Sequence, residues 1–235
     1  MEGTIHKGNS AEYSSKLVAQ MENSPLEGKK ILFLGSSVTY GECSLQDAIP
    51  EYFGKRFHCN YTKEAVSGTT LVDTDETSYV SRLLRNVDKT QKYDLFICQL
   101  STNDATQNKP FGEIGASFEE ETFDKSTICG AMEFIIAYVN KTFQCPIMFY
   151  TGSRYDSEVY EIMVDKLYTI AKKWNIGVID LWRGDSFNNI PESDRAIFMN
   201  DPIHPTKAGY MKWWCPEMEK QVLAFLQTQE EIKHD

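Results

Sequence analysis

The chain changes character within residues 30–41, Lys30-Ile31-Leu32-Phe33-Leu34-Gly35-Ser36-Ser37-Val38-Thr39-Tyr40-Gly41. Residues 31–34 form a short apolar run of the kind that builds a buried parallel strand, and helical spacing of apolar residues begins near Leu45. The pattern predicts a strand, a tight Gly/Ser turn and then a helix. In an open α/β sheet such a turn lies at the carboxyl end of a strand, where it offers hydroxyl groups and free backbone amides to a ligand. Gly and Ser also make ordinary turns, so the function of this one depends on other segments.

The composition is that of an ordinary globular protein. The 235 residues, 41% hydrophobic and 25% charged, suffice for one domain over residues 1–235 with a buried core. The net charge of -10 and the lack of a basic run argue against a nucleic-acid partner, because phosphate binding relies on clustered Lys and Arg. No apolar stretch approaches the length of a membrane span, and residues 1–7 contain no apolar signal core. We therefore expect a cytoplasmic protein without a membrane partner.

The cysteines are scattered along the chain and form no C-x-x-C pair. They predict buried free thiols, and neither a disulfide framework nor a zinc site. No other pattern indicates a metal or an organic cofactor, so we expect neither. The six residues are Cys43, Cys59, Cys98, Cys129, Cys145 and Cys215.

Strand patterns alternate with helix patterns along the chain, and this alternation predicts parallel pairing through right-handed crossovers. We expect an α/β fold, a three-layer α/β/α sandwich around a five-stranded parallel sheet in the flavodoxin-like order 2-1-3-4-5. Predicted strands cover about 29–35, 58–66, 94–100, 146–150 and 176–181. Predicted helices cover an accessory N-terminal stretch at about 10–22, then 45–57, 78–87, 132–143, 157–174 and 206–226, the last with a kink at Pro216.

The predicted strand order places the turns after the first three strands side by side. Ser37, Gly68 and Asn103 follow those strands, so we expect them to lie close together. The polar segment 105–125 comes after the third of these turns. A loop of this length forms either a wall or lid of a site or a solvated excursion, and the sequence leaves both open.

The polar residues at these turns match what ester hydrolysis requires. Ser37 would attack as the nucleophile, and His204 would take its proton. Asp201 lies three residues before His204 on a segment whose prolines prevent a regular helix, so its carboxylate can turn back to orient the imidazole. The backbone amides of Ser37 and Gly68 and the side-chain amide of Asn103 would form the oxyanion hole.

Four short blocks of the sequence resemble those of the SGNH hydrolases, also called the GDSL-like lipase/acylhydrolase family. They are Gly35-Ser36-Ser37-Val38-Thr39-Tyr40-Gly41, Ser67-Gly68, Ser101-Thr102-Asn103-Asp104 and Asp201-Pro202-Ile203-His204-Pro205, followed by Gly209-Tyr210. The resemblance implies the sandwich fold, metal-independent hydrolysis of acyl esters, and the same roles for the residues named above. It departs from the family pattern where Ser36 replaces the usual Asp and Ser101 the usual Gly. Ser36 therefore stays open as an alternative nucleophile.

Loops after the last two predicted strands carry Arg154, Tyr155, Trp182 and Arg183. They indicate a small-molecule substrate with a short polar acyl ester, such as an acetylated sugar. We expect Ser36, Asp104, Arg154 and Tyr155 to contact it. A lysophospholipid or a thioester, and acyl transfer instead of hydrolysis, stay open, because pocket atoms that the sequence does not place decide between them.

Two other functions remain as alternatives. A flavodoxin-like module that binds a mononucleotide or phosphate would use the Gly/Ser turn at a helix start, but the chain lacks the P-loop Lys and the G-x-G-x-x-G pattern. It would also leave Asp201 and His204 without a role. An SGNH-like scaffold could instead bind acylated sugars without turnover. The turn is not G-x-S-x-G, which disfavours an α/β-hydrolase.

Overall fold

The computed structural model describes residues 6–234, and the rest of the predicted domain, residues 1–5 and Asp235, lies outside the described residues. One parallel sheet runs through the protein in the order β2-β1-β3-β4-β5. This order confirms the predicted flavodoxin-like topology. The strands are β1 Lys30–Gly35, β2 Asn60–Ala65, β3 Leu95–Gln99, β4 Ile147–Tyr150 and β5 Gly177–Ile179.

Helices follow the strands and cover both faces of the sheet. No helix within residues 6–234 is long and apolar enough to cross a membrane. The helices are α1 Ser37–Tyr40, α2 Ile49–Phe57, α3 Tyr79–Asn86, α4 Thr102–Thr106, α5 Ile128–Thr142, α6 Glu158–Trp174, α7 Asp185–Asn188, α8 Glu192–Phe198, α9 Lys207–Gly209 and α10 Cys215–His234. A π-helical segment, Tyr210–Trp214, joins the last two, and single 3-10 turns are formed by Lys7–Asn9, Ala11–Tyr13, Ser15–Leu17, Glu42–Ser44 and Glu120–Thr122.

The apolar run at residues 31–34 forms a central strand because both of its faces are covered. Successive side chains of a strand point to opposite faces. In β1, Leu32 and Leu34 pack into the core shared with α3, α5 and α6. Ile31 and Phe33 pack into the core shared with α2 and α10. All four side chains are fully buried, which explains why the strand is apolar without alternation.

The predicted N-terminal helix over 10–22 is wrong, because the structure has 3-10 turns separated by extended residues there. The hydroxyl of Ser14 and the backbone N–H of Ser15 donate to the Asp47 carboxylate at 3.0 and 3.1 Å. Serines compete in this way with helical hydrogen bonding. Leu17, which the helical pattern places on an apolar face, is 68% exposed.

The closing helix continues past its predicted end at residue 226 and passes Pro216 through an irregular turn. Proline has no N–H to donate to the carbonyl four residues earlier, and the π segment just before it widens the helix there. The same segment supports the turn after β1, because the Tyr210 hydroxyl donates to the carbonyl of Val38 at 2.6 Å. The helix end therefore helps to position the serine turn.

The segment 105–125 is held by a buried charge and does not close over the turn after β1. Glu133 of α5 is fully buried and accepts from the N–H of Gly115 at 2.7 Å and from Lys173 Nζ at 2.5 Å. Lys173 lies at the end of α6, which leads directly into the amino end of β5. The middle of the segment therefore lies at the sheet edge opposite the serine turn, and the lid interpretation is wrong for it.

Candidate active site

The serine turn is shaped by a glycine that tolerates no side chain. β1 ends at Gly35, and α1 begins two residues later at Ser37. A Cβ at Gly35 would overlap the hydroxyl of Thr39, so only glycine allows the chain to fold back so closely. Ser37 sits at the first helical position, where a backbone N–H has no partner within the helix.

Gln99, at the end of β3, holds this turn through hydrogen bonds. This role was not predicted from the sequence. Its Oε1 accepts hydrogen bonds from the N–H of Ser36 at 2.9 Å and from the Thr39 hydroxyl at 2.9 Å, while its Nε2 donates to Ser36 Oγ at 3.1 Å. Gln99 is 2% exposed and Ser36 is fully buried. The signal in the sequence is a polar residue that ends an apolar central strand. The predicted contact of Ser36 with substrate is wrong, because its hydroxyl faces Gln99.

A short loop carries Asp201 and His204 to the serine. An isolated antiparallel bridge between Met199 and Pro205 closes this loop at its base. His204 Nε2 lies 2.8 Å from Ser37 Oγ, and His204 Nδ1 lies 2.8 Å from Asp201 Oδ2. The Ser37 hydroxyl, the His204 imidazole and the Asp201 carboxylate thus form a continuous chain, although Ser37 lies 167 residues before His204 in the sequence.

The Asp201 carboxylate is held in its ionised form. Burial by itself raises its pKa, but hydrogen bonds from the N–H groups of Ile203 and His204, at 2.8 and 2.9 Å, and from the imidazole outweigh burial and lower the pKa below its ordinary value. An ionised carboxylate beside Nδ1 keeps the proton on that nitrogen. The other nitrogen, Nε2, is then free to accept a proton from Ser37.

We expect Asp201→Asn to lower the free energy of unfolding at neutral pH, and the difference from the native chain to shrink as the pH falls. The carboxylate has a pKa below its unfolded value of about 3.9, so it stabilises the fold above that value. This stabilisation is lost as the pH falls through the folded-state pKa. Urea unfolding at pH values from 7 down to about 3 measures the difference. A difference that does not change with pH would contradict the assignment, and Asp156→Asn, at an exposed carboxylate, is the matched control.

Gly68 and Asn103 lie on the two neighbouring turns. β1 and β2 pair in register at their ends, with Gly35 opposite Ala65, so the turns leave the sheet side by side. Gly68 has a φ of +79°, a conformation suited to glycine. Asn103 Nδ2 donates to the carbonyl of Thr69 at 2.9 Å, which ties its amide to the residue after Gly68.

The backbone N–H groups of these turns are available to a ligand. Across residues 6–234, the N–H groups of Ser37 and Gly68 donate to no protein acceptor. The Asn103 amide uses one hydrogen on Thr69 and has a second one. Each of these groups therefore has a hydrogen free to donate, as the predicted oxyanion role requires.

Arg82 of α3 connects two of the turns through hydrogen bonds. This role was also not predicted from the sequence. Its guanidinium donates to the carbonyl of Gly35 at 2.8 Å and to the Thr69 hydroxyl at 3.1 Å, and it pairs with Glu64 at 3.0 Å. Arg82 is 2% exposed. No local sequence signal could reveal it, because its partners are mostly backbone and hydroxyl oxygens that only the folded chain brings together.

Two other residues predicted to contact substrate lie in different places, Asp104 in the core and Arg154 in a surface cleft. Asp104 is fully buried, where its carboxylate accepts from the N–H groups of Leu71 and Val72 at 2.7 and 3.1 Å. Burial raises its pKa. The prediction that Asp104 contacts substrate is therefore wrong, and it instead fixes the loop after Gly68. Arg154 lies in a surface cleft, paired with Asp185 at 2.9 Å.

Two clefts and one small cavity include residues of the predicted site or residues next to them in the sequence. A cleft of about 300 Å³ runs beside Asp201 and includes both Arg154 and Tyr155. A second cleft of about 520 Å³ shares Arg154 and Arg195 with the first. A cavity of only about 10 Å³ lies among residues adjacent in sequence to Ser37, Asn103 and His204. Its lining includes Val38, Thr102 and Ile203.

A cysteine lies beside the imidazole and the carboxylate. The Cys43 sulfur, a carboxylate oxygen of Asp201 and a ring nitrogen of His204 all lie within 4.8 Å of one another. Five of the six cysteines are buried free thiols, as expected, but Cys43 is half-buried. Since no sequence motif connects these three residues, the sequence did not reveal the cluster.

Residues 33–212 match the model of the GDSL-like Lipase/Acylhydrolase family. The chain belongs to this family. This confirms the resemblance read from the four blocks, and it identifies the protein as an acylhydrolase that acts on carboxylic esters. The alternative of a nucleotide-binding module is therefore wrong.

Solved structures resemble this acylhydrolase at low sequence identity. A protein from Bacteroides ovatus described as a GDSL-like lipase is 17% identical, with a TM-score of 0.61 over 86% of this chain and 99% of that one. A family two carbohydrate esterase from Clostridium thermocellum, in complex with cellohexaose, is 15% identical, with a TM-score of 0.58 over 91% and 67%. An acetyl xylan esterase, AlAXEase, is 14% identical, with a TM-score of 0.55 over 81% and 98%. At these identities the likeness establishes the fold, and no curated protein matches the sequence.

Proposed function

We propose that the protein is a serine esterase that removes short acyl groups, acetyl above all, from small polar alcohols through an acyl-enzyme intermediate. The observation that carries the proposal is the chain from Ser37 Oγ to His204 Nε2 at 2.8 Å and from His204 Nδ1 to Asp201 at 2.8 Å. A hydroxyl is a weak nucleophile at neutral pH until a base within hydrogen-bond reach takes its proton. The spacing supplies that base and the group that orients it.

In the proposed reaction, Ser37 Oγ attacks the ester carbonyl carbon while His204 Nε2 takes the hydroxyl proton. The imidazolium that forms is stabilised by the ionised Asp201 carboxylate. Collapse of the tetrahedral intermediate passes the proton to the leaving alcohol and leaves an acylated serine. A water activated by the same nitrogen then releases the acid and regenerates Ser37.

The developing oxyanion needs donors that are already in place. The free N–H groups of Ser37 and Gly68 and the second amide hydrogen of Asn103 suit this role, because none of them must break a protein hydrogen bond to serve. Arg82 and Gln99 hold the turns that carry these donors. Loss of one such donor typically slows an acyl-transfer enzyme by about a hundred- to a thousand-fold.

The small cavity beside Val38, the residue after Ser37, favours a short acyl group. The cavity beside Val38 and Ile203 is about 10 Å³, too small for an alkyl chain. The residues Ser153, Tyr155 and Trp214 also line it, and each has a buried polar atom without a partner among the described residues, which disfavours long alkyl groups.

The hydrogen-bonding side chains of the two clefts favour a hydroxyl-rich leaving alcohol. Their lining includes the guanidinium groups of Arg154 and Arg195, the amides of Asn188 and Asn189, and other hydrogen-bonding side chains. The structural neighbours described as a carbohydrate esterase and an acetyl xylan esterase add support for an acetylated sugar.

A series of p-nitrophenyl esters from acetate to octanoate tests the acyl preference. We expect kcat/KM to fall by about tenfold or more between acetate and hexanoate, since each methylene that a pocket excludes costs about 1–3 kcal/mol. Tyr155→Ala should widen the cavity and raise the relative rate for butyrate. The control Phe118→Ala removes a ring that is 56% exposed and packs on Trp174, so it should leave the profile unchanged. A rate that rises with chain length would contradict the proposal.

A further inference from the structure

We propose that Cys43, Asp201 and His204 form a binding site for a thiophilic divalent cation such as Zn²⁺, and that an ion bound there switches the enzyme off. The binding part stands on geometry alone. The inhibitory part rests on the function proposed above. The test separates the two parts.

The three donor atoms are close enough to share one ion. They all lie within 4.8 Å of one another. Zinc bonds of about 2.0–2.3 Å in a tetrahedral arrangement place ligand atoms roughly 3.3–3.8 Å apart. The atoms therefore need to adjust by about 1 Å, and side-chain rotation provides movements of that size.

The cysteine can be reached from solvent and its turn is anchored. Cys43 is half-buried, whereas the other five cysteines are buried. It lies in the middle of the 3-10 turn Glu42–Ser44, and its carbonyl accepts from the Asn9 side chain at 2.9 Å. The sulfur is therefore held near Asp201 and His204 by a turn that an ion can approach.

The surrounding charge favours a cation. The Cys43 sulfur lies beside the Asp201 carboxylate, and Glu42 precedes it in the sequence, so acidic groups lie around the site. Within residues 6–234, no Lys or Arg forms an ion pair with Asp201 or Glu42. A dication would neutralise this excess of negative charge and stabilise the thiolate, because metal binding and loss of the thiol proton are linked.

The donor set selects the type of ion. One sulfur, one nitrogen and one oxygen with a fourth position left for water are typical of zinc, while magnesium and calcium prefer oxygen ligands throughout. The Asp201 carboxylate already accepts two backbone N–H groups, from Ile203 and His204. Such bonds fix the orientation of a metal-ligating carboxylate.

A bound ion would remove the base. If the ion takes the lone pair of His204 Nδ1, the single imidazole proton must move through solvent to Nε2, and Nε2 can then donate to Ser37 but no longer accept its proton. If the ion takes Nε2 instead, that lone pair is used up. The thiol proton is released to solvent, and no oxidation or reduction takes place.

Metal binding is measured on the Ser37→Ala variant, which lacks the proposed nucleophile but keeps all three proposed ligands. Competition for Zn²⁺ with a chromophoric chelator should give about tenfold or more weaker binding in Ser37→Ala/Cys43→Ser than in Ser37→Ala, since loss of an outer partner alone typically costs 10–100-fold. His58→Ala, in the same background, removes an exposed imidazole that pairs with Glu27 and should leave affinity unchanged. Equal affinity with and without the Cys43 thiol overturns the site.

Cobalt provides a readout that needs no change at Cys43. Co²⁺ added to Ser37→Ala should give a thiolate-to-cobalt charge-transfer band in the near ultraviolet, and a spectrum without this band overturns the site. For inhibition, Zn²⁺ should reduce hydrolysis of p-nitrophenyl acetate by the native chain, reversibly with EDTA, and Cys43→Ser normalised to its own metal-free rate should need about tenfold more Zn²⁺. Equal sensitivity overturns the switch. A native chain that binds cobalt through sulfur but hydrolyses no ester overturns the esterase proposal and leaves the metal site standing.

Discussion

Ser37→Ala should lower kcat/KM for p-nitrophenyl acetate by about 10⁴-fold or more, with little change in the free energy of unfolding. Loss of a triad serine leaves only the catalysis due to the oxyanion donors and binding. The only hydrogen bond of the Ser37 side chain to another described residue is the one with His204. Steady-state kinetics and urea unfolding measure the two effects.

The matched control is a substitution of Ser36, whose hydroxyl belongs to the residue just before Ser37. Ser36→Ala removes the bond to Gln99 Nε2 but leaves the hydroxyl–imidazole contact intact. It should therefore keep covalent labelling by a fluorophosphonate, and the labelled peptide of the native chain should carry the added mass on Ser37. Labelling that survives Ser37→Ala but not Ser36→Ala would move the nucleophile to Ser36.

Arg82→Met should lower the free energy of unfolding by about 3–5 kcal/mol, the range for breaking a buried ion pair. The guanidinium is 2% exposed, and its removal leaves Glu64 and the carbonyl of Gly35 without their donor. Because Arg82 also binds Thr69, the two turns that carry Ser37 and Gly68 lose their connection, and activity should fall as well. Urea unfolding gives the free energy, and ester hydrolysis gives the activity.

Arg85→Met is the control one turn later in the same helix. Its ion pair with Glu76 is exposed, at 51% and 80% of the two side chains, and exposed pairs contribute at most about 1 kcal/mol. Arg82→Lys, which keeps the charge but loses the planar fork, should fall between the two. Equal losses for Arg82→Met and Arg85→Met would show that Arg82 does not fasten the turns.

The sheet was predictable because each strand has a recognisable apolar pattern within its own stretch of sequence. β1 and β3 are buried on both faces, so their residues are apolar without alternation, and the helices between them have amphipathic spacing. The prediction of a helix at 10–22 was wrong because a contact with a distant residue outweighs the local pattern. Its apolar spacing was helical, but the serines bind Asp47, a residue more than thirty positions away, and such a bond leaves no local pattern.

The proposed catalytic groups were predictable for a chemical reason. Ser37, Asn103 and His204 each follow a strand or occupy a turn, and ester hydrolysis requires a nucleophile, a base and oxyanion donors around one carbonyl. The structure brings Ser37, Asp201 and His204 together as predicted. Whether they carry the roles proposed for them is what the serine and aspartate substitutions test.

The sequence alone determined the order of the strands in the chain, the parallel sheet and the residues that can serve as nucleophile, base and orienting acid, because backbone propensity and side-chain chemistry are local properties. Only the tertiary structure decided that Ser36 and Asp104 face inward, that Gln99 and Arg82 hold the turns, and that Cys43 lies beside the imidazole. These facts depend on which groups the folded chain brings within about 3–5 Å of one another. Hydrogen bonding and metal ligation act only over such distances, and no pattern along the chain records them.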